Sequence, residues 1–434
     1  MNHVKWLIGG LAASAMALAA SAGVAQDKTV KMSVVSFLSG PGAGPFGVPG
    51  RNGAELIIAA INAGQLPAPY DKPGLAGAMI DVEYVDESGG NTKVVAEYRN
   101  MVQKRGADVV VGYVSSGSCA ALAPVIDELK KLTVLAVCGT PRIFEESDRT
   151  HVFRTMGHAT GDNVAAAHYV KEKFPDVKKY VGINQNYAWG QDSWRDFDLG
   201  MKALVEGATP SDKVQWPKLF QGQYGTEISA LLLDDAQLIH SSFWDGDLES
   251  FIFQGTTRGI FQKKKVLMTV AGTAAYRLGK RMPEGIILGA RGPYGVLVRD
   301  NDSPLNSWFV QAYFDRYGTY PSGPPYQYAQ AILGLKAAYD KAGEAAGGFP
   351  TQDQVIAAFK GSTFESLAGT VKMALGNGHQ AITENGYGIT KYDADKGEVT
   401  VTDVKFYPAE CVLPPAGTDS VSWIEGGMKG AKCN

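Results

Sequence analysis

The run Ser115-Ser116-Gly117-Ser118 closes the apolar segment ADVVVGYV and precedes a stretch of helical spacing through Ala120–Lys131. At a helix N-terminus, hydroxyls and free backbone N–H groups converge where the helix dipole favours negative charge. The chemistry on offer is capture of a small anion such as a carboxylate; the plainer reading makes one serine an N-cap. A second apolar segment, LTVLAVCG, ends at Cys138-Gly139-Thr140. Neighbouring parallel strands open on the same sheet edge, so the two ends can grip one anion.

Catalytic chemistry has no comparable constellation. HExxH, GxSxG, GxxxxGK[ST] and CxxC are all missing from the sequence. The six histidines are scattered; His151 and His158 stand seven apart and His240 falls in a strand, with no zinc-ligand spacing, so they read as structural and no metal is expected. Gly42-Ala43-Gly44-Pro45-Phe46-Gly47 formally matches GxGxxG, yet Pro45 removes a backbone donor and the next strand-end acid, Asp86, stands too far on for a ribose contact. No cofactor is expected. The competing enzymatic reading is an exported hydrolase with Ser116 or Ser118 as nucleophile and His158 or His240 as its base.

The elements that must position these residues alternate. TVKMSVVSFLS is a near-continuous apolar strand, followed by a Gly/Pro loop and the helical RNGAELIIAAINAG. MIDVEYVDES, a helix over TKVVAEYRNMVQKRG, ADVVVGYV and LTVLAVCG continue the series, which predicts a parallel sheet with crossover helices. From about Thr150 the alternation restarts with HVFRTMG and runs through KKYVGINQNY, AQLIHSSFW, KKVLMTVAG and GIILGARG. Beyond Ser303 come two amphipathic helices, a hairpin over GITKYDADKGEVTVTDVKFY and a Gly/Pro-rich tail. The predicted fold class is α/β, with two lobes and a small C-terminal elaboration.

Taken in order, VVSFLSGPGAGPFG with RNGAELIIAAIN, VVVGYVSSGS, VLAVCGT and NYAWGQD resemble the leucine/isoleucine/valine-binding family of type I periplasmic substrate-binding proteins. The resemblance covers most of the chain after its leader. It implies two doubly wound α/β lobes joined by a three-strand hinge and closing on a ligand. Residues 26–152 plus 290–365 would form the N-terminal lobe, and 153–289 plus 366–434 the C-terminal lobe with an extended tail. It also implies a monomer that delivers its ligand to an inner-membrane ABC permease; a ligand-presenting sensor module is the third reading.

By position, Ser116 and Thr140 resemble the hydroxyls that hold the ligand carboxylate, with Ser118 in the same run and the Cys138 backbone alongside. Phe46 matches the aromatic before glycine in the first loop, Trp189 of Trp189-Gly190 matches the family's Tyr-Gly, and Trp244 falls near its later aromatic. Singly each aromatic reads as ordinary core; together, at strand ends and near glycines, they predict a flat apolar pocket. Where the family has an acid for the α-ammonium group, this chain aligns Ala271. A buried ammonium without a counter-charge is costly, which shifts the expected ligand toward an apolar or aromatic carboxylate. An amino acid stays open if Asp245 or Asp247 replaces the missing acid. Arg291, after GIILGA, faces the cleft, the hinge or the surface.

The first residues fix the compartment. Lys5, an apolar run from Trp6 to Ala20 and small residues at Ala20-Ser21-Ala22 or Gly23-Val24-Ala25 read as a secretory signal peptide, removed in the periplasm. Cleavage after Ala25 leaves 409 residues, with 40 basic against 44 acidic and no basic run, so neither nucleic acid nor an anionic membrane is an expected partner. Cys119, Cys138, Cys411 and Cys433 allow three pairings in an oxidising compartment, and sequence separation favours Cys119–Cys138 with Cys411–Cys433.

Overall fold

Strands covered on both faces read as unbroken apolar runs, and the first series forms such a sheet. In the computed structural model, which describes residues 28–433, β1 (Thr29–Ser36) lies between β2 (Met79–Asp86) and β3 (Val109–Gly112), all parallel. The sheet continues through β4 (Thr133–Leu135) and β5 (Val152–Arg154), and every residue of β3, β4 and β5 is buried. The signal peptide expected over residues 1–25 lies outside the described residues.

The second sheet repeats the plan. Here β6 (Lys179–Ile183) lies between β7 (Thr209–Pro210) and β8 (Leu238–Ser241), followed by β9 (Lys265–Met268) and β10 (Ile287–Gly289). The chain then returns to extend the first sheet with β11 (Thr363–Ser366), β12 (Gly369–Leu375) and β13 (Gln380–Ile382). It crosses back for the hairpin β14 (Asn385–Asp393) and β15 (Glu398–Tyr407), with β14 antiparallel to β10. The resulting orders are β11-β12-β13-β5-β4-β3-β1-β2 and β15-β14-β10-β9-β8-β6-β7.

Three segments therefore connect the sheets, after β5, β10 and β13. Two of these differ from the expected lobe boundaries at 152/153 and 365/366. HVFRTMG, read as the start of the second series, supplies β5, which pairs with β4 in the first sheet. Residues 366–382, expected in the C-terminal lobe, complete the first sheet instead. The reason is local: β11–β13 are short, and the Gly376–Gly378 turn breaks their periodicity. Sheet membership is a tertiary choice that alternation does not encode.

The expected cysteine pairing is present: Cys119 is bonded to Cys138 and Cys411 to Cys433. The first bridge ties the head of the helix Ser116–Leu129 to the chain after β4, joining the two strand ends proposed to grip an anion. The second closes a 22-residue separation in the tail, and loop-closure entropy assigns such a link about 3 kcal/mol. Cys411→Ser/Cys433→Ser is accordingly expected to lower the urea midpoint by that free energy, and an unchanged midpoint would show that the tail is held by packing alone. Among the described residues no helix is long and apolar enough to cross a membrane.

Candidate functional site

Both sheets reverse their winding at one point, between β1 and β3 in the first and between β6 and β8 in the second. A doubly wound sheet binds ligands in the crevice at the carboxyl ends of the strands flanking such a point. Here the two crevices meet. Phe46, Val114, Ser116 and Val137 come from the first lobe, and Tyr187, Trp189, Trp244, Val270 and Arg291 from the second, to line one cavity. It holds about 10 Å³, room for a single water, so the lobes must part to admit an organic ligand.

Phe46 sits in a tight π-helical turn, Ala43–Gly47, at the head of the helix Val48–Ala63. Gly47 is glycine because a Cβ there would stand 1.8 Å from the Phe37 carbonyl oxygen; close backbone packing, rather than a phosphate cradle, explains the glycine of that GxGxxG match. Phe46 meets Trp244 edge to face at 5.5 Å between centroids, and Phe37 and Phe220 flank the same indole. Trp244 donates to the Tyr187 hydroxyl at 2.7 Å, and Trp189 donates to the Ser242 carbonyl at 2.8 Å. Both indoles are thus fixed in orientation.

Ser116 is the first residue of its helix, and its Oγ accepts from the Gly139 and Thr140 amides at 3.1 and 3.2 Å. These two bonds join the β3 and β4 ends and leave the hydroxyl proton for another acceptor. Neither Ser116 nor Ser118 hydrogen-bonds a histidine among the described residues, and the His240 Nε2 is taken by Asn163 at 2.8 Å.

Of the residues expected in the site, Phe46, Ser116, Trp189 and Trp244 come together; Ser118, Cys138, Thr140 and Asp245 stay outside the cavity wall. Ser118 turns to Glu87. Cys138 is spent in its disulfide, and its carbonyl accepts from Arg154 at 2.9 Å. The Thr140 hydroxyl donates to Asp192 at 2.6 Å, so it does not face the ligand space. Asp245 turns onto its own helix, its Oδ1 accepting from the Asp247 amide at 2.7 Å. After β9 the lining residue is Val270 rather than Ala271, a one-residue slip that leaves the position apolar.

Arg291 resolves to the cleft. At 6% exposed it reaches from the end of β10 to donate to the Val137 carbonyl at 2.8 Å, and its guanidinium carbon lies 4.1 Å from the centre of the Trp189 ring. Its backbone is left-handed at φ 57°, a strained choice for a non-glycine residue. Gly139 makes this approach possible: a Cβ there would stand 2.3 Å from Nη2 and 2.4 Å from the Trp189 ring.

Two buried acids that motif reading missed support the wall. Glu87 accepts from the Val114 and Ser115 amides at 2.7 and 2.9 Å and so holds the serine loop in place. Burial outweighs these bonds and pushes its carboxyl from 4.5 up to about 7. The folded protein then holds a proton that the unfolded chain releases, so this group's contribution falls as pH rises from 4.5 through 7. Wild type should lose roughly 2 kcal/mol relative to Glu87→Gln between pH 5 and 8. Urea midpoints at both pH values would show it, and parallel profiles would refute it. Asp192, fully buried, accepts from Thr140 and Arg142 of the first lobe and from Arg195 of its own.

The family model described as "Periplasmic binding protein" matches residues 29–397. Among curated proteins no sequence matches. Solved structures do. A solute-binding protein of an ABC transporter from Rhodopseudomonas palustris BisB5, in complex with 3,4-dihydroxybenzoic acid, superposes with a TM-score of 0.74 at 18% identity, covering 88% of this chain and 98% of its own. Another from R. palustris, in complex with benzoate, gives 0.71 at 19%, covering 87% and 96%. A leucine-binding protein of Thermotoga maritima gives 0.69 at 18%, covering 86% and 98%. At such identities the likeness carries the fold alone.

Proposed function

From the premise that this chain belongs to the periplasmic binding protein family, we propose that it is the solute-binding component of an ABC importer and closes its lobes on a small carboxylate with an apolar or aromatic body. The observation that carries this reading is the cavity at the meeting point of the two crevices, walled by Phe46, Trp189 and Trp244 with Ser116 and Arg291 at its polar side. It fits burial of a flat apolar group with one charged end. The benzoate complexes among the structural relatives accord with it, and the leucine-binding relative keeps an amino acid among the ligands to be tried.

Export and signal cleavage after Ala25 belong to the same proposal, as does delivery of the bound solute by a monomer to an inner-membrane permease. The chemistry proposed is binding: among the described residues Ser116 hydrogen-bonds the Gly139 and Thr140 amides and no histidine. Hinge rotation about the three connecting segments supplies the motion.

The test is thermal unfolding of the mature protein, stripped of ligand by unfolding and refolding, against benzoates, keto acids, aliphatic amino acids and short amides. A ligand that binds the native state raises the midpoint. Stabilisation by members of one carboxylate class is the expected result, and no stabilisation across the panel would refute the proposal.

A further inference from the structure

Resting on the reading above, we infer that the ligand is an aromatic carboxylate without an α-ammonium group, and that Arg291, with the first turn of the helix Ser116–Leu129, receives its carboxylate.

Arg291 has a donor to spare. Its Nη1 is bonded to the Val137 carbonyl and its Nε to Asp162 at 3.3 Å, but its buried Nη2 has no partner among the described residues. An unmade bond from a buried charged donor is expensive, and a carboxylate is the acceptor that matches a guanidinium edge. Opposite stands Ser116, whose Oγ accepts twice and whose hydroxyl proton is uncommitted. The first N–H groups of its 14-residue helix have no intrahelical acceptors and add partial positive charge at the same wall. The cleft thus gathers donors from both lobes at one end.

Nothing in the wall complements an ammonium. Among the nine lining residues Arg291 alone is charged, and the strand end expected to carry an acid presents Val270. Asp162 is already engaged by Arg291. The expected alternative, Asp245, has an Oδ2 without a partner among the described residues but lies outside the wall. Burial and the neighbouring Asp247 push its carboxyl well above the usual range. An α-amino acid would therefore place its ammonium in an apolar box beside a guanidinium. The remaining surface is apolar and largely aromatic: the Trp189 and Trp244 indoles and the Phe46 and Tyr187 rings line it together with Val114, Val137 and Val270.

The experiment is titration calorimetry on the refolded, ligand-stripped mature protein with benzoate, 4-hydroxybenzoate, phenylacetate, the neutral amide of each, L-phenylalanine and L-leucine. At least one acid should bind, its amide at least about 100-fold more weakly, and neither amino acid detectably at the same concentrations. Arg291→Met should bring the acid-to-amide ratio close to one, and Arg291→Lys should restore it only in part, because an ammonium lacks the planar fork. A merely structural arginine would weaken acid and amide alike and leave that ratio unchanged. Binding of L-phenylalanine or L-leucine as tight as the best acid, or an unchanged ratio in Arg291→Met, would overturn this inference and leave the transport reading standing. Failure of every acid and both amino acids would overturn the two together. If Arg291→Met does not fold, the wild-type ratio and its shift in Ser116→Ala decide.

Discussion

Trp189→Ala is expected to weaken binding of the cleft ligand at least about 100-fold, close to 3 kcal/mol at tenfold per 1.4 kcal/mol. The residue is 2% exposed, it lines the cavity, and one face carries the Arg291 guanidinium at 4.1 Å. Truncation removes a stacking surface, leaves the Ser242 carbonyl without its indole donor and removes the ring that the Arg291 guanidinium lies against. Core truncations of this size also cost about 3–5 kcal/mol of fold stability, so calorimetry belongs beside a thermal midpoint of the ligand-free variant. Trp189→Phe separates the contributions, keeping an aromatic face but losing the N–H anchor. Its affinity should fall between wild type and alanine, and alanine within threefold of wild type would remove Trp189 from the site.

Asp192→Ala should weaken binding through closure rather than through contact. Its carboxylate touches no cavity residue, yet it accepts from Thr140 Oγ1 at 2.6 Å and from Arg142 at 2.9 and 2.7 Å, all across the lobe boundary. The prediction follows if those bonds break when the lobes part. Removing one partner of a buried charged network costs about 3–5 kcal/mol, and the part-exposed Arg142 reduces that toward about 2, which is roughly 30-fold in affinity. A ligand binding only the closed form loses affinity in proportion to the fraction closed. The expected signature is a larger radius of gyration by small-angle scattering at saturating wild-type ligand concentration, with the ligand-free melting point changed far less than the affinity. A variant equally compact and equally tight would show that Asp192 serves only its own lobe.

The site was legible in part, and the division follows the range of the interactions. Ser116 was readable because strand, serine run and helix are contiguous, and local order alone puts a hydroxyl at a helix N-terminus. Phe46, Trp189 and Trp244 were readable for the same reason: each follows a strand, at or before the head of the next helix, and strand ends of parallel sheets share an edge. Thr140 and Ser118 sit at similar positions, yet their hydroxyls turn to Asp192 and Glu87, partners 52 and 31 residues away, which no local signal names. Tyr187 lay within the quoted NYAWGQD motif and went unassigned, since only its bond to the Trp244 indole marks it as part of the wall.

The amino-acid sequence by itself determined that this is an α/β chain of two similar halves, because apolar runs covered on both faces and helical spacing are local patterns. It also put three aromatics beyond strand ends and a hydroxyl at a helix head, and these four residues line one cavity. Tertiary structure decided the rest. Only pairing partners could place β5 and β11–β13 in the first sheet, since strand periodicity is the same whichever sheet receives it. Only the meeting of the two lobes could bring Arg291 from the end of β10 to Val137 and Trp189, 154 and 102 positions away in the chain, and leave one guanidinium nitrogen without a partner. Charge in a cleft is set by which side chains face one another across it, and that is a property of the closed pair of lobes rather than of any segment.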